Sequence, residues 1–184
     1  MANISKKISE IIADNRGEEL LAAIANFSCK DKDVERFLKT KALESDKRNK
    51  SRTYIVIEDE QVENGKLEIL AYFTLMFKVL YLGDSVSKSV RKAIDGFNKD
   101  VPAVAVLLIG QFGKDENAAR DISGEVFLKF CLSVVREIRE LAGGRVVLLE
   151  CLPIPQVVDF YERSGFTYLQ TDPRDKYRQL ILPL

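Results

Sequence analysis

The residues with chemistry to offer begin where a strand gives way to a helix. From Val101 to Gly110 the chain reads VPAVAVLLIG, a valine-rich and nearly unbroken apolar run of the kind buried on both faces of a sheet. QFGKDENAARDIS follows, polar and broken. Then comes GEVFLKFCLSVVREIREL, in which Val126, Phe127, Phe130, Cys131, Val134, Val135, Ile138 and Leu141 recur at helical spacing. Backbone N–H groups at the start of such a helix have no intrahelical partner. Together with the helix dipole they form a seat for an anion such as a pyrophosphate. Acid–base chemistry is narrowed from the other side. The chain contains no histidine, which excludes His-based triads, His-ligated metals and imidazole proton shuttles. Proton transfer falls to carboxylates, Tyr, Lys, Cys or water. The three cysteines, Cys29, Cys131 and Cys151, are far apart with no CxxC. They suit neither a zinc knuckle nor a disulfide scaffold and point to a reducing cytoplasm.

The elements that must position these groups can be read from pattern. At 184 residues one domain is the default. Residues 1–30 read as a helical extension, with Ile4, Ile8, Ile11 and Ile12 in one stripe. Leu20, Leu21, Ile24 and Phe27 form a second after a break at Asn15-Arg16-Gly17. A third helix is expected over 31–45. The cluster from Asp46 to Arg52 reads as a solvated loop, with a basic patch for an acidic or nucleic-acid partner as the sharper reading. TYIVI (Thr53–Ile57) and LEILAYFTLMFKVLYL (Leu67–Leu82) read as strands joined through a turn at Asn64-Gly65. A surface helix is expected over 84–99. RVVLLEC, from Arg145, reads as a second buried strand, QVVDFYERS as a short helix, and FTYL and RQLILPL as closing strands. Buried strands alternating with helices give an α/β (α+β) fold with helices on both faces of a mixed sheet. Cys131 falls on the core stripe, Cys151 reads as structural, and Tyr72 and Phe73 are expected to pack the sheet. Lys plus Arg and Asp plus Glu number 28 each, so no global field draws the chain to nucleic acid or membrane. The N-terminus does not read as a signal peptide, and no apolar run approaches the ~20 residues that span a bilayer.

That order of elements resembles the GNAT-type N-acetyltransferase superfamily. Two signatures carry the resemblance: LLIGQFGKD followed by a polar loop and a helix opening at Gly124, and DFYERSGF, Asp159 to Phe166, after a buried strand. The resemblance covers roughly residues 31–184. It implies a mostly antiparallel sheet with one splayed parallel pair, extra N-terminal helices, and acetyl-CoA as co-substrate with no metal. The pantetheine would lie along the backbone of Phe112, Gly113 and Lys114. The pyrophosphate would sit on Arg120, Asp121, Ile122, Ser123, Gly124 and Glu125. This loop departs from the family pattern: Ser123 stands where Gly is usual and Glu125 where Gly or Ala is usual, so Asp121 and Glu125 are unfavourable beside a pyrophosphate unless they point away.

The resemblance also implies the chemistry, an amine attacking the acetyl thioester directly in a ternary complex. Tyr161 would protonate the departing thiolate; a phenol near pKa ~10 keeps its proton at neutral pH. Glu150 ends a buried strand where the family's strands splay, and reads equally as general base or as the partner of a nearby Lys or Arg. Glu58 and Glu68 are lesser candidates for the base, and ordered water alone is a further route. The expected acceptor is a primary amine. Within the same superfamily the chain also resembles toxins that acetylate aminoacyl-tRNA, through FLKTKAL (Phe37–Leu43) and the later RTYIV; its balanced charge argues against tRNA. A GNAT-fold binding module without catalysis is a further alternative, with the N-terminal helices as a partner or homodimer surface.

Overall fold

The computed structural model describes residues 3–58, 67–172 and 176–184. Among them a seven-stranded sheet runs in the order β1-β2-β3-β4-β5-β7-β6. Its strands are β1 (Asn3–Lys7), β2 (Arg52–Glu58), β3 (Ala71–Tyr81), β4 (Ala103–Lys114), β5 (Val146–Cys151), β6 (Thr167–Thr171) and β7 (Arg178–Pro183). β4 and β5 pair in parallel, while β1–β2, β2–β3, β5–β7 and β6–β7 are antiparallel. The helices are α1 (Ile8–Ala13), α2 (Gly17–Asn26), α3 (Lys32–Thr40), α4 (Ala42–Lys47), α5 (Lys88–Asp95), α6 (Gly124–Ala142) and α7 (Pro155–Arg163). Contacts gather these elements into two compact units, 1–76 with 111–132, and 77–110 with 133–184.

In the first unit the sheet is covered on both faces. Successive strand residues point to opposite sides, so Tyr72 and Phe73 of β3, both fully buried, face different layers. On one side Ile55, Ile57 and Tyr72 join Ile8 and Ile11 of α1, Leu20 and Ile24 of α2, and Leu38 and Ala42 of α3 and α4 in a single core cluster. On the other, Phe73 stacks on Tyr54 at 5.0 Å and meets Phe127 of α6 at 6.2 Å. Asp31 caps α3 by accepting from the N–H groups of Asp33 and Val34.

Three expectations from pattern are corrected here. Residues 3–7 form a strand rather than the start of a helix, with Asn3 opposite Glu58 and Lys7 opposite Tyr54. Ile4 and Ile8 lie a helical turn apart in sequence but straddle a strand–helix junction, and both reach the same core. The helix over 31–45 breaks at Lys41, whose φ of −126° ends α3 and precedes α4. The surface helix is shorter than 84–99: Ser87 caps its start and Gly96, at φ 98°, closes it. The turn at Asn64-Gly65 and part of the turn over 171–177 lie outside the described residues.

In the second unit, Val106–Ile109 and Val146–Leu149 are the buried parallel pair. Val134 and Val135 of α6 are buried in this unit, as are Val158 and Tyr161 of α7. Arg91 on α5 donates to four carbonyls, those of Leu82, Gly83, Val86 and Val101, and so pins the segments flanking that helix. Past Met76, one face of β3 is bare: Phe77, Val79 and Tyr81 are exposed.

All three cysteines are free and buried. Burial pushes their thiols above the ordinary 9.0 and the Tyr72 hydroxyl above its ordinary 10.0. Each group keeps its proton in the fold to a higher pH than in the unfolded chain, so the stability they contribute is complete below their unfolded values and is lost as pH rises past them. The midpoint of urea unfolding should therefore fall steadily above about pH 9; a midpoint that holds to about pH 10.5 contradicts this account.

Candidate functional site

The first unit holds the end of β4 and the loop after it. Residues Phe112 to Lys114 are its last three, and both faces there are filled by protein. The Phe112 ring stacks on Phe127 with centroids 3.8 Å apart and planes 16° apart. Gly113 is buried against α3 and the segment before it: a Cβ there would sit 2.6 Å from Val34 Cγ1 and 3.1 Å from Cys29 Sγ. Tyr72 fixes that approach by donating its hydroxyl to the Val34 carbonyl. The edge of the strand differs from its faces. The register of β4 with β5 runs from Leu107 to Ile109, and β4 continues past it to Lys114. A backbone edge of this kind can accept an extended, amide-bearing ligand as if it were a further strand.

The loop is built by hydrogen bonds to neighbouring segments. Asp115 N donates to the Leu70 carbonyl at 2.9 Å, and Asp115 Oδ1 accepts from Ser28 N at 3.0 Å and Asn117 N at 2.9 Å. Carboxylates occupy the donors further on. Ala119 N meets Glu68 Oε1 at 2.7 Å, and Arg120 meets Glu58 Oε1 at 3.1 Å. Lys114 Nζ meets both Asp121 Oδ1 and the Ile122 carbonyl at 2.7 Å. The Lys114 hydrogen bond holds the Asp121 carboxyl below the usual range. Ile122 is buried and anchors the loop. Ser123 has a local reason to replace glycine: its Oγ accepts from Val126 N at 3.3 Å, the work of an N-cap. Gly124 and Glu125 open α6, and the Glu125 side chain is exposed.

The second unit holds Glu150 and Tyr161, on different elements. Tyr161 is buried on α7, edge-on to Phe160 at 5.0 Å and to Phe166 at 5.7 Å. Pro155 at the first turn and Gly165 just past the end bound that helix. Glu150 is the partner of Lys78: both carboxylate oxygens lie 2.7 Å from Nζ. Oε1 also accepts from Gln179 Nε2 at 2.7 Å, and Gln179 in turn takes Gln170 Nε2 at 2.7 Å. Gln170 closes the chain onto the Tyr81 carbonyl and the Gly83 N–H. Nothing in the sequence identified these partners. Lys78 and Glu150 lie 72 residues apart in the chain. Among the described residues no group of three or more His, Cys, Asp or Glu is placed to hold a metal, and no helix is long and apolar enough to cross a membrane.

The fold is that of the GNAT N-acetyltransferases: a seven-stranded, mostly antiparallel sheet with one parallel pair and helices on both faces. Among solved structures, that of the toxin AtaT complexed with acetyl-methionyl-tRNAfMet is similar at a TM-score of 0.72 and 17% identity, over 99% of this chain and 95% of that one. A Tyr-to-Phe mutant of KacT is similar at 0.72 and 20%, over 100% and 95%. AtaTR bound with acetyl-CoA is similar at 0.66 and 19%, over 87% and 86%. No family model matches the sequence, and no curated protein matches it.

Proposed function

We propose that this protein is an acetyltransferase that moves the acetyl group of acetyl-CoA onto the amine of an aminoacyl-tRNA, in the manner of the GNAT toxins it resembles. The observation that carries this reading is the likeness, end to end, to the AtaT structure with an acetylated aminoacyl-tRNA. The residues present fit the donor. The edge of β4 past Ile109 suits the amides of a pantetheine, and the first N–H groups of α6 suit its pyrophosphate. The amine nitrogen attacks the thioester carbon, the C–N bond forms and the C–S bond breaks. Tyr161 gives its proton to the leaving sulfur, and backbone N–H groups near Phe112 polarise the carbonyl. With three hydrogen bonds already accepted by its two oxygens, Glu150 serves as a positioning residue for Lys78 and Gln179, and the amine's proton passes to water.

A second feature favours a nucleic-acid acceptor over a small amine. Between Lys39 and Arg52 the chain has six cations against Glu44 and Asp46. Asp46 is buried and accepts from Thr53 N, while Lys41, Lys47, Arg48 and Lys50 are exposed. This local field exists on a chain of zero net charge. The test is acetyl transfer from labelled acetyl-CoA to aminoacyl-tRNA, beside free amino acids and a polyamine. Transfer to the tRNA-borne amine is expected. Replacing Lys47, Arg48 and Lys50 by Ala should raise KM for tRNA and reduce the log–log salt slope by about 3. Equal transfer to the polyamine, insensitive to salt, would sink the tRNA assignment.

A further inference from the structure

From Asp115 to Glu125 the loop has four carboxylates, Asp115, Glu116, Asp121 and Glu125, and one cation, Arg120. A nucleotide donor with several phosphate charges should be repelled by such a loop. The structure supplies one more cation from outside it, at the end of β4. Lys114 Nζ lies 2.7 Å from Asp121 Oδ1 and 2.7 Å from the Ile122 carbonyl. An ammonium has three donors, and these two contacts leave one. The two acceptors are unlike each other. Ile122 is buried, so its carbonyl is a fixed anchor. The Asp121 side chain is 80% exposed and is free to turn into water. Arg120, the other cation here, is held by Glu58.

We propose that Lys114 is the phosphate-binding side chain of this loop, and that Asp121 is a built-in competitor which occupies its ammonium until a donor phosphate displaces it. The Ile122 carbonyl keeps Nζ at the loop during the exchange, so the cation is in place before the ligand arrives. This arrangement makes the acidic loop compatible with an anionic donor, at the cost of some affinity. The proposal rests on the acetyl-CoA reading above and extends it to a side chain, where that reading uses backbone groups alone.

Calorimetric titration with acetyl-CoA tests it on four proteins: the wild type, Asp121→Asn, Lys114→Met and the double variant. Asp121→Asn should bind about two- to fivefold more tightly, the scale of an exposed ion pair released. Lys114→Met should bind about tenfold more weakly, the scale of a lost charge-assisted hydrogen bond. In the Lys114→Met background, Asp121→Asn should bring no gain, because the competition it relieves no longer exists. Binding by Asp121→Asn that is equal to or weaker than wild type overturns the proposal, since Asp121 is then a structural pin. A gain of the same size in both backgrounds also overturns it, since the effect is then general charge relief. Wild type that fails to bind acetyl-CoA at millimolar concentration overturns the donor reading itself, and this proposal with it.

Discussion

Tyr161→Phe is expected to lower acetyl transfer by about a hundredfold or more, the usual contribution of a positioned general acid, while leaving the affinity for acetyl-CoA unchanged. The two effects separate because the substitution removes one oxygen and keeps the ring that packs on Phe160 and Phe166. Single-turnover kinetics with saturating donor, beside calorimetry, read the two quantities independently. On the toxin reading, expression of the wild-type chain should arrest growth and the variant should not. A variant that transfers acetyl at the wild-type rate removes Tyr161 from the mechanism. Glu150→Gln provides the contrast. As a positioning residue Glu150 should influence the rate without setting its pH dependence, so the acidic limb of the pH–rate profile should survive the substitution. If that limb disappears, Glu150 is the base after all.

Gly113→Ala should be the costliest small substitution in the first unit. The new Cβ would lie 2.6 Å from Val34 Cγ1 and 3.1 Å from Cys29 Sγ, well inside contact distance. Val34 is β-branched and stiff at χ1, and its carbonyl is tied to the Tyr72 hydroxyl, so relief requires moving α3 itself. Overpacking of this kind costs about 1–3 kcal/mol, or roughly 5 °C of melting temperature at this chain length. Affinity for acetyl-CoA should fall with it, because the displaced backbone is the proposed pantetheine edge. Val34→Ala removes the closer of the two obstructing atoms and should restore part of both losses when combined with Gly113→Ala. If Gly113→Ala is as stable as wild type, the packing of α3 on the strand end is not what holds this region.

The same two regions show what a sequence can reveal. Gly124 as the start of α6, the buried strands at Val106–Ile109 and Val146–Leu149, and the short helix carrying Tyr161 were legible because each is written in local spacing, while the parallel pairing of the two strands was implied only by the family resemblance. The core position of Cys131 and the packing of Tyr72 and Phe73 followed from the same patterns. What stayed hidden depends on contacts between distant segments. Asn3–Lys7 has no strand signature of its own; it is a strand because the free edge of β2 pairs with it. Glu150 pairs with Lys78, a partner 72 residues away that local spacing cannot name. Ser123 looked like a defect in a phosphate loop and proves to be a helix cap. Gly113 looked like a backbone contact for a ligand, and the structure adds a crowding constraint from Val34 that spacing cannot express.

The division of the chain has a consequence for how it can be made and cut. Each compact unit is assembled from two separated stretches, 1–76 with 111–132 and 77–110 with 133–184. A ribosome releasing the chain from its N-terminus cannot complete the first unit until Leu132 has emerged, long after β1 and β2 are available to pair. During that interval the face that carries Phe73 awaits Phe127 of α6, which has not been synthesised, while the Tyr72 face already has α1 to α4 to pack against. Neither unit exists as a continuous fragment, so a single proteolytic nick between them is not available, and a truncation at any one point removes part of both or leaves one incomplete.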